Sequence, residues 1–241
     1  MKRLHLPNAA PGTLRLEGPR FHHLARVLRV RAGEPVELFD GRGMIFPAEV
    51  EEVGTESAQL TVSAGVAQPA PRAITIVQGL PKAEKLQFVL QKGTELGASA
   101  FAPVFTERTV VKPSGREGAK VQRWQRIVEE AARQCGRADV PKVEAPRELL
   151  EAVRGLSPAL VLVLDEEEEA LPLSVAVGQE LSAARPLALV VGPEGGLARG
   201  EVRALQQLGA VTVTLGRRVL RTETAALAAL AVLLHLQGEL G

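Results

Sequence analysis

The stretch LALVVGPEGGLARGEVRAL, Leu187–Leu205, decides how this chain folds. An apolar run stops abruptly at Gly-Pro-Glu-Gly-Gly, and a helical apolar period follows. A short, wholly apolar run bounded by glycines reads as a strand buried on both faces. Loops at the carboxyl ends of such strands are where α/β proteins hold ligands. Glu194, in the middle of the loop, argues against a phosphate cradle. A dinucleotide fingerprint would need Gly-x-Gly-x-x-Gly early in the fold, whereas this loop lies late and has another spacing; no Gly-Lys-Ser/Thr exists for a P-loop. The plain alternative for Gly195-Gly196 is a tight turn between strand and helix.

A second stretch weighs against that alternative. VTVTLGRRVLRTETAALAAL, Val211–Leu230, repeats the arrangement of buried strand, terminal glycine, polar loop and helix. Two such loops at the ends of strands in one sheet form one crevice. Gly192, Gly195, Gly196 and Gly216 free backbone groups there, and Leu215, Val219 and Leu220 offer apolar walls. A ligand read by backbone hydrogen bonds and apolar contact beside a carboxylate should be a flat heterocycle, neutral or positive. Adenosine bearing a sulfonium fits, and an anionic nucleotide does not.

Outward from these loops, strand and helix alternate from residue 73 to 241. AITIVQGL is a strand, KAEKLQFVLQKGTELG a helix stopped by Gly97, SAFAPVFTERTVV a strand, and GAKVQRWQRIVEEAARQCGR a helix closed by Gly136. ALVLVLDEE follows as another strand. Apolar strands alternating with helices predict an α/β domain with a mostly parallel sheet covered on both faces. Residues 1–70 read differently, as short strands. EPVELFDGRGMIFPAEVEEV alternates around Asp40-Gly41, a hairpin, and SAQLTVSAGV is a further strand, so a small β-barrel is expected. GPRFHHLARVLRV is a short helix or turn, and Ala67–Ala73, with two prolines, is the linker. The acidic run DEEEEA, Asp165–Ala170, reads as a solvated loop; no metal site is expected.

Composition narrows the class. The formal net charge is only +1, so bulk charge does not announce a nucleic-acid binder, but five arginines lie within Arg15–Arg31 against one acid. A single cysteine, Cys135, excludes an internal disulfide and a cysteine-based zinc cluster. No apolar core follows the basic residues of Met1–Leu6, and Ala225–Leu234 is too short to span a bilayer, so no secretory signal and no membrane partner are expected and the cytoplasm is the expected compartment.

GPEGG followed by LGRRVLRTETA resembles the RsmE family of ribosomal RNA methyltransferases, in the knotted SPOUT superfamily. HHLARVLRVRAGEPVELFDGRG, LPKAEKLQFVLQKGTELGASAFAPVFTERTVVK and RWQRIVEEAARQCGR extend the likeness across the chain in family order. The resemblance implies a PUA-like amino-terminal barrel that contacts RNA and a carboxyl-terminal domain with a deep trefoil knot, which no periodicity reveals. It implies S-adenosylmethionine as methyl donor, a homodimer through the knot domain, and methylation of ring nitrogen 3 of one uridine in 16S rRNA or the small subunit. A SPOUT enzyme acting on tRNA or another ribosomal site, and a non-catalytic knotted assembly factor, stand as alternatives.

By motif, the cofactor pocket is expected to involve Leu164, Gly192, Glu194, Gly195, Gly196, Leu215, Gly216, Val219 and Leu220; the leucines would otherwise be plain core. Glu194 either meets the amino or sulfonium side of the cofactor or caps the following helix. Arg221 is the expected catalytic residue, since a cation beside the uracil carbonyls stabilises the anion left when nitrogen 3 loses its proton; an ion pair with Glu223 or another acid is its alternative. No general base is assigned. Arg20, Arg26, Arg29 and Arg31 are expected on RNA phosphates, or else form a solvated basic face. Gln78, Lys82, Lys85 and Glu95 are candidates to line the uridine site. The final helix, apolar on all sides from Ala225 to Leu236 save His235, calls for burial all round, which a twofold dimer provides more simply than one large core.

Overall fold

The computed structural model describes residues 2–69, 72–82, 84–110, 115, 117–156, 159–178 and 185–241. Two compact units result: Met1–Ala70 with Ala132–Val140, and Pro71–Ala131 with Pro141–Gly241.

The first unit is a six-stranded sheet of β1 (Lys2–His5), β2 (Gly12–Glu17), β3 (Pro35–Phe39), β4 (Met44–Val53), β5 (Ser57–Val62) and β6 (Val66–Ala67). Its path is β1-β3-β4-β5-β2, with β6 on β4. The expected hairpin is β3–β4, closed at Phe39↔Ile45. Asp40 shapes that turn by accepting the backbone N–H groups of Arg42 and Met44 at 2.7 and 3.0 Å. β1 and β2 stand at the two ends of the path, and among the described residues no ladder joins them; Leu4, Leu6 and Leu16 share one core cluster with Leu38, Val50 and Leu60. Between β2 and β3 the chain forms α1 (Gly18–His22) and one wide helical turn, His23–Val27.

The second unit alternates as its apolar periods demand. β7 (Ile74–Gly79), α2 (Lys85–Leu96), β8 (Ala100–Phe105) and α3 (Glu117–Cys135, whose residues from Ala132 on count with the first unit) are followed by β9 (Lys142–Val143), β10 (Arg147–Glu148) and α4 (Leu149–Arg154). Then come β11 (Leu160–Leu164), α5 (Leu173–Gly178), β12 (Leu187–Val191), α6 (Arg199–Gln207), β13 (Val211–Val213) and α7 (Thr222–Leu236). β8 ends at Phe105, because Thr106 and Thr109 bond to one another in a turn; Val111, the last residue of the expected strand, lies outside the described residues.

The sheet order is β10-β8-β7-β12-β11-β13, with β9 on β8, and every pair is parallel. One face, with Val77, Val163, Ala188 and Val190, buries the apolar sides of α4 and α6. The other carries α2, whose Gly93 lies against Phe101 and Ile76, and α7, which packs on β7, β12, α2 and α5. No helix among the described residues is long and apolar enough to cross a membrane.

Candidate functional site

A hollow of about 820 Å³ opens in the second unit at the carboxyl ends of β11, β12 and β13, where Leu164, Val191 and Val213 line it. Small-molecule sites occupy about 300–1,000 Å³, so its size suits a cofactor. The two glycine-bearing loops share this one hollow. Leu164, Gly192, Glu194, Gly196, Leu215, Gly216, Val219 and Leu220 all line it, and so does Arg221. Gly195 is not part of its lining, and its carbonyl accepts Arg108 Nη1 at 2.7 Å. Val219 is 79% exposed, so it is wall and not core, and Leu164, Leu215 and Leu220 are half-buried.

Backbone demands explain two of the glycines. A Cβ on Gly192 would lie 2.8 Å from the carbonyl carbon of Gly196, so only glycine lets the loop fold back on its own start. Gly216 holds φ +104°, a conformation that L side chains rarely adopt.

Glu194 does not cap α6. That role belongs to Glu201, whose carboxylate accepts the backbone N–H of Ala198 and, with its other oxygen, that of Glu107, each at 2.9 Å. Glu194 instead accepts Lys82 N–H at 3.0 Å and pairs with Lys85 Nζ at 3.1 Å. Burial works against its ionisation, but its own N–H, Lys85 and Lys82 outweigh that and hold its pKa below the usual glutamate range. The bond from Glu194 raises the Lys85 ammonium in turn, with Glu223 at 3.5 Å adding to it. Glu223 is thus engaged by Lys85, and no acid among the described residues pairs with the exposed Arg221 guanidinium.

The run Asp165–Ala170 is not a simple solvated loop. Asp165, its side chain 6% exposed, grips Arg199 through both oxygens at 2.5 and 2.8 Å. Glu168 accepts the N–H groups of Ala170 and Leu171 and the Thr212 hydroxyl. Asp165, Glu166, Glu168 and Glu169 line the hollow, because the run follows directly from the buried strand β11. Arg199, Arg217 and Arg218 line it as well. Sequence carried no sign of the Asp165–Arg199 pair, whose members lie 34 positions apart. Among the four uridine-site candidates, Lys85 lines the hollow, Lys82 serves Glu194 through its backbone, Glu95 pairs with Lys92, and Gln78 is buried beneath. Among the described residues no three His, Cys, Asp or Glu side chains gather as a metal would require.

In the first unit Arg20, Arg26, Arg29 and Arg31 are all exposed, and no acid among the described residues pairs with their guanidinium groups. Arg29 takes φ +50°, the left-handed region, at the turn that leads into β3.

Residues 68–234 match the RNA methyltransferase domain family, and residues 16–63 the RNA methyltransferase PUA domain family. The protein is therefore an RNA methyltransferase with a PUA domain. The match is closer still to proteins named ribosomal RNA small subunit methyltransferase E. That of Mycobacterium bovis is 39% identical over 222 residues, 89% of this chain and 83% of the relative. That of Bacillus subtilis is 33% identical, over 92% of this chain and 89% of its own. The Neisseria gonorrhoeae methyltransferase E, solved bound to S-adenosyl methionine, superposes with a TM-score of 0.88 at 34% identity over 98% of both chains. A Legionella pneumophila methyltransferase solved in complex with the same cofactor reaches 0.84 at 31% identity, over 97% of each. The chain belongs to the ribosomal RNA small subunit methyltransferase E family.

Proposed function

We propose that this protein transfers a methyl group from S-adenosylmethionine to ring nitrogen 3 of one uridine in 16S rRNA, working as a homodimer through its second unit. The observation that carries the reading is one hollow built by two strand-end loops, with the exposed Arg221 guanidinium, which no acid among the described residues pairs, on its wall. The residues fit the cofactor. Backbone of Gly192, Gly196 and Gly216 and apolar Leu215, Val219 and Leu220 suit adenosine, and the ionised Glu194 suits a cation. Bound there, S-adenosylmethionine supplies an electrophilic methyl on sulfonium sulfur. Arg221, facing the uracil carbonyls, would stabilise the negative charge on them as nitrogen 3 gives its proton to water and bonds the methyl carbon, while the methyl–sulfur bond breaks and its electron pair leaves with the neutral thioether. Lys85 pairs with both Glu194 and Glu223 and holds the two carboxylates in place. Arg20, Arg26, Arg29 and Arg31 hold RNA phosphates, positioning the substrate without reading its sequence.

The homodimer reading rests on α7. Its Ala226, Ala229, Leu230, Leu233 and Leu234 are buried, whereas Leu227, Ala228, Ala231 and Val232 form a partly exposed apolar face on a single chain. The trefoil knot belongs to the same proposal. α7 follows β13 at the sheet edge, yet returns across β12 and β7 to pack on α2.

Labelled S-adenosylmethionine with unmodified small subunits, followed by mapping of the labelled nucleoside, tests the reaction. Label at uridine nitrogen 3 of 16S rRNA is expected; label in tRNA only, or none, overturns it. Arg221→Ala should leave cofactor affinity within about threefold while lowering kcat at least about a hundredfold. Equal loss of both would move Arg221 into the cofactor pocket.

A further inference from the structure

Beneath the hollow, three segments distant in sequence meet at one buried side chain. Gln78, near the end of β7, is 1% exposed. Its amide nitrogen donates to Thr222 Oγ1 at 2.8 Å and to Gly79 O at 3.0 Å, with a longer, shared contact of 3.3 Å to Gly192 O. Thr222, also buried, donates its hydroxyl to the same Gly192 O at 2.5 Å. The amide orientation is set by these partners, since the reverse would put its oxygen against two carbonyls.

Two features show that this arrangement is not ordinary core. Gln78 Oε1 is buried with no hydrogen-bond partner among the described residues, so a methionine of similar size would be easier to bury. The hydroxyl of Thr222, the first residue of α7, does not cap its own helix and is given to the glycine loop. The peptide between Gly192 and Pro193 has no N–H, so its carbonyl is the one polar group by which it can be held. Both hydrogen bonds to that carbonyl come from side chains outside the loop.

We propose that Gln78 and Thr222 are positioning residues for methyl transfer, locking the Gly192 carbonyl and so holding the glycine loop and Arg221 at a fixed separation across the hollow. The inference rests on the reading of that hollow as the methyl-transfer site.

The test uses the full chain with Thr222→Val, Thr222→Ser and Gln78→Met, assayed well below each unfolding midpoint. Thr222→Val and Gln78→Met should lower kcat about ten- to a hundredfold at saturating cofactor. KM for the RNA should move less than about twofold, and Thr222→Ser, which keeps the hydroxyl, should restore kcat to within about threefold of the parent. Full activity in Thr222→Val, equal loss in the serine and valine variants, or a loss that tracks the folded fraction overturns the proposal. Should the parent transfer no methyl to small-subunit RNA, the proposed reaction fails and cofactor affinity decides the lock. Thr222→Val should then weaken S-adenosylmethionine binding about tenfold, with serine restoring it; unchanged affinity in all three variants overturns the lock as well.

Discussion

Asp165 carries its negative charge almost out of water, on the wall of the hollow, and Arg199 is what makes that tolerable. Burial alone would raise its pKa, but the Arg199 bonds and the Glu167 N–H override burial and hold it below the ordinary 3.8. A depressed carboxylate adds stability above its unfolded pKa and loses it as pH falls through the folded value. Asp165→Asn should therefore destabilise the protein by roughly 1–3 kcal/mol at neutral pH. The difference in unfolding free energy from the parent should shrink as pH falls from about 4 downwards, measured by denaturant titration at several pH values. A difference that persists unchanged at the acid end would refute the ion pair as its source. The Asp165 partnership was invisible in the linear order. An acidic run reads as solvated until a strand end is known to deliver it to a hollow.

At the scale of elements, α6 shows how one side chain joins two segments. Ala198 opens the helix with no side-chain cap, and Glu201, three positions on, takes its N–H. The other oxygen of Glu201 takes the N–H of Glu107, beside Arg108, which braces the glycine loop through Gly195 O. Glu201→Ala should cost about 1–2 kcal/mol, a few degrees in unfolding midpoint, by losing a cap and a cross-link together. Calorimetry that finds the midpoint unmoved would show that solvent replaces both bonds freely. The existence of α6 was legible, because Val202 and Leu205 recur at helical spacing, and so was the strand before it. Which acid caps it was not: Glu194 and Glu201 both sit near the helix start, and only the path of the loop separates them.

For the whole molecule, α7 poses the main question. It is apolar all round, yet one chain buries only the side that meets β7, β12, α2 and α5. A second copy applied to the Leu227–Val232 face would complete its burial. Light scattering of the purified protein should give the mass of two chains, and Val232→Arg should shift it toward one. A parent that stays at one chain across concentration would refute the homodimer.

Strand and helix periods, read by themselves, determined the parallel α/β unit, the separate amino-terminal sheet, and the two loops that meet at one hollow. Local apolar period and glycine placement depend on neighbouring residues, so they are written in order along the chain. Tertiary structure alone decided that the Gly195 carbonyl goes to Arg108, that Asp165 grips Arg199, and that Gln78 and Thr222 share the carbonyl of Gly192. Each of these is a contact between residues far apart in sequence, and the geometry that selects it exists only once the sheet has brought its strand ends together.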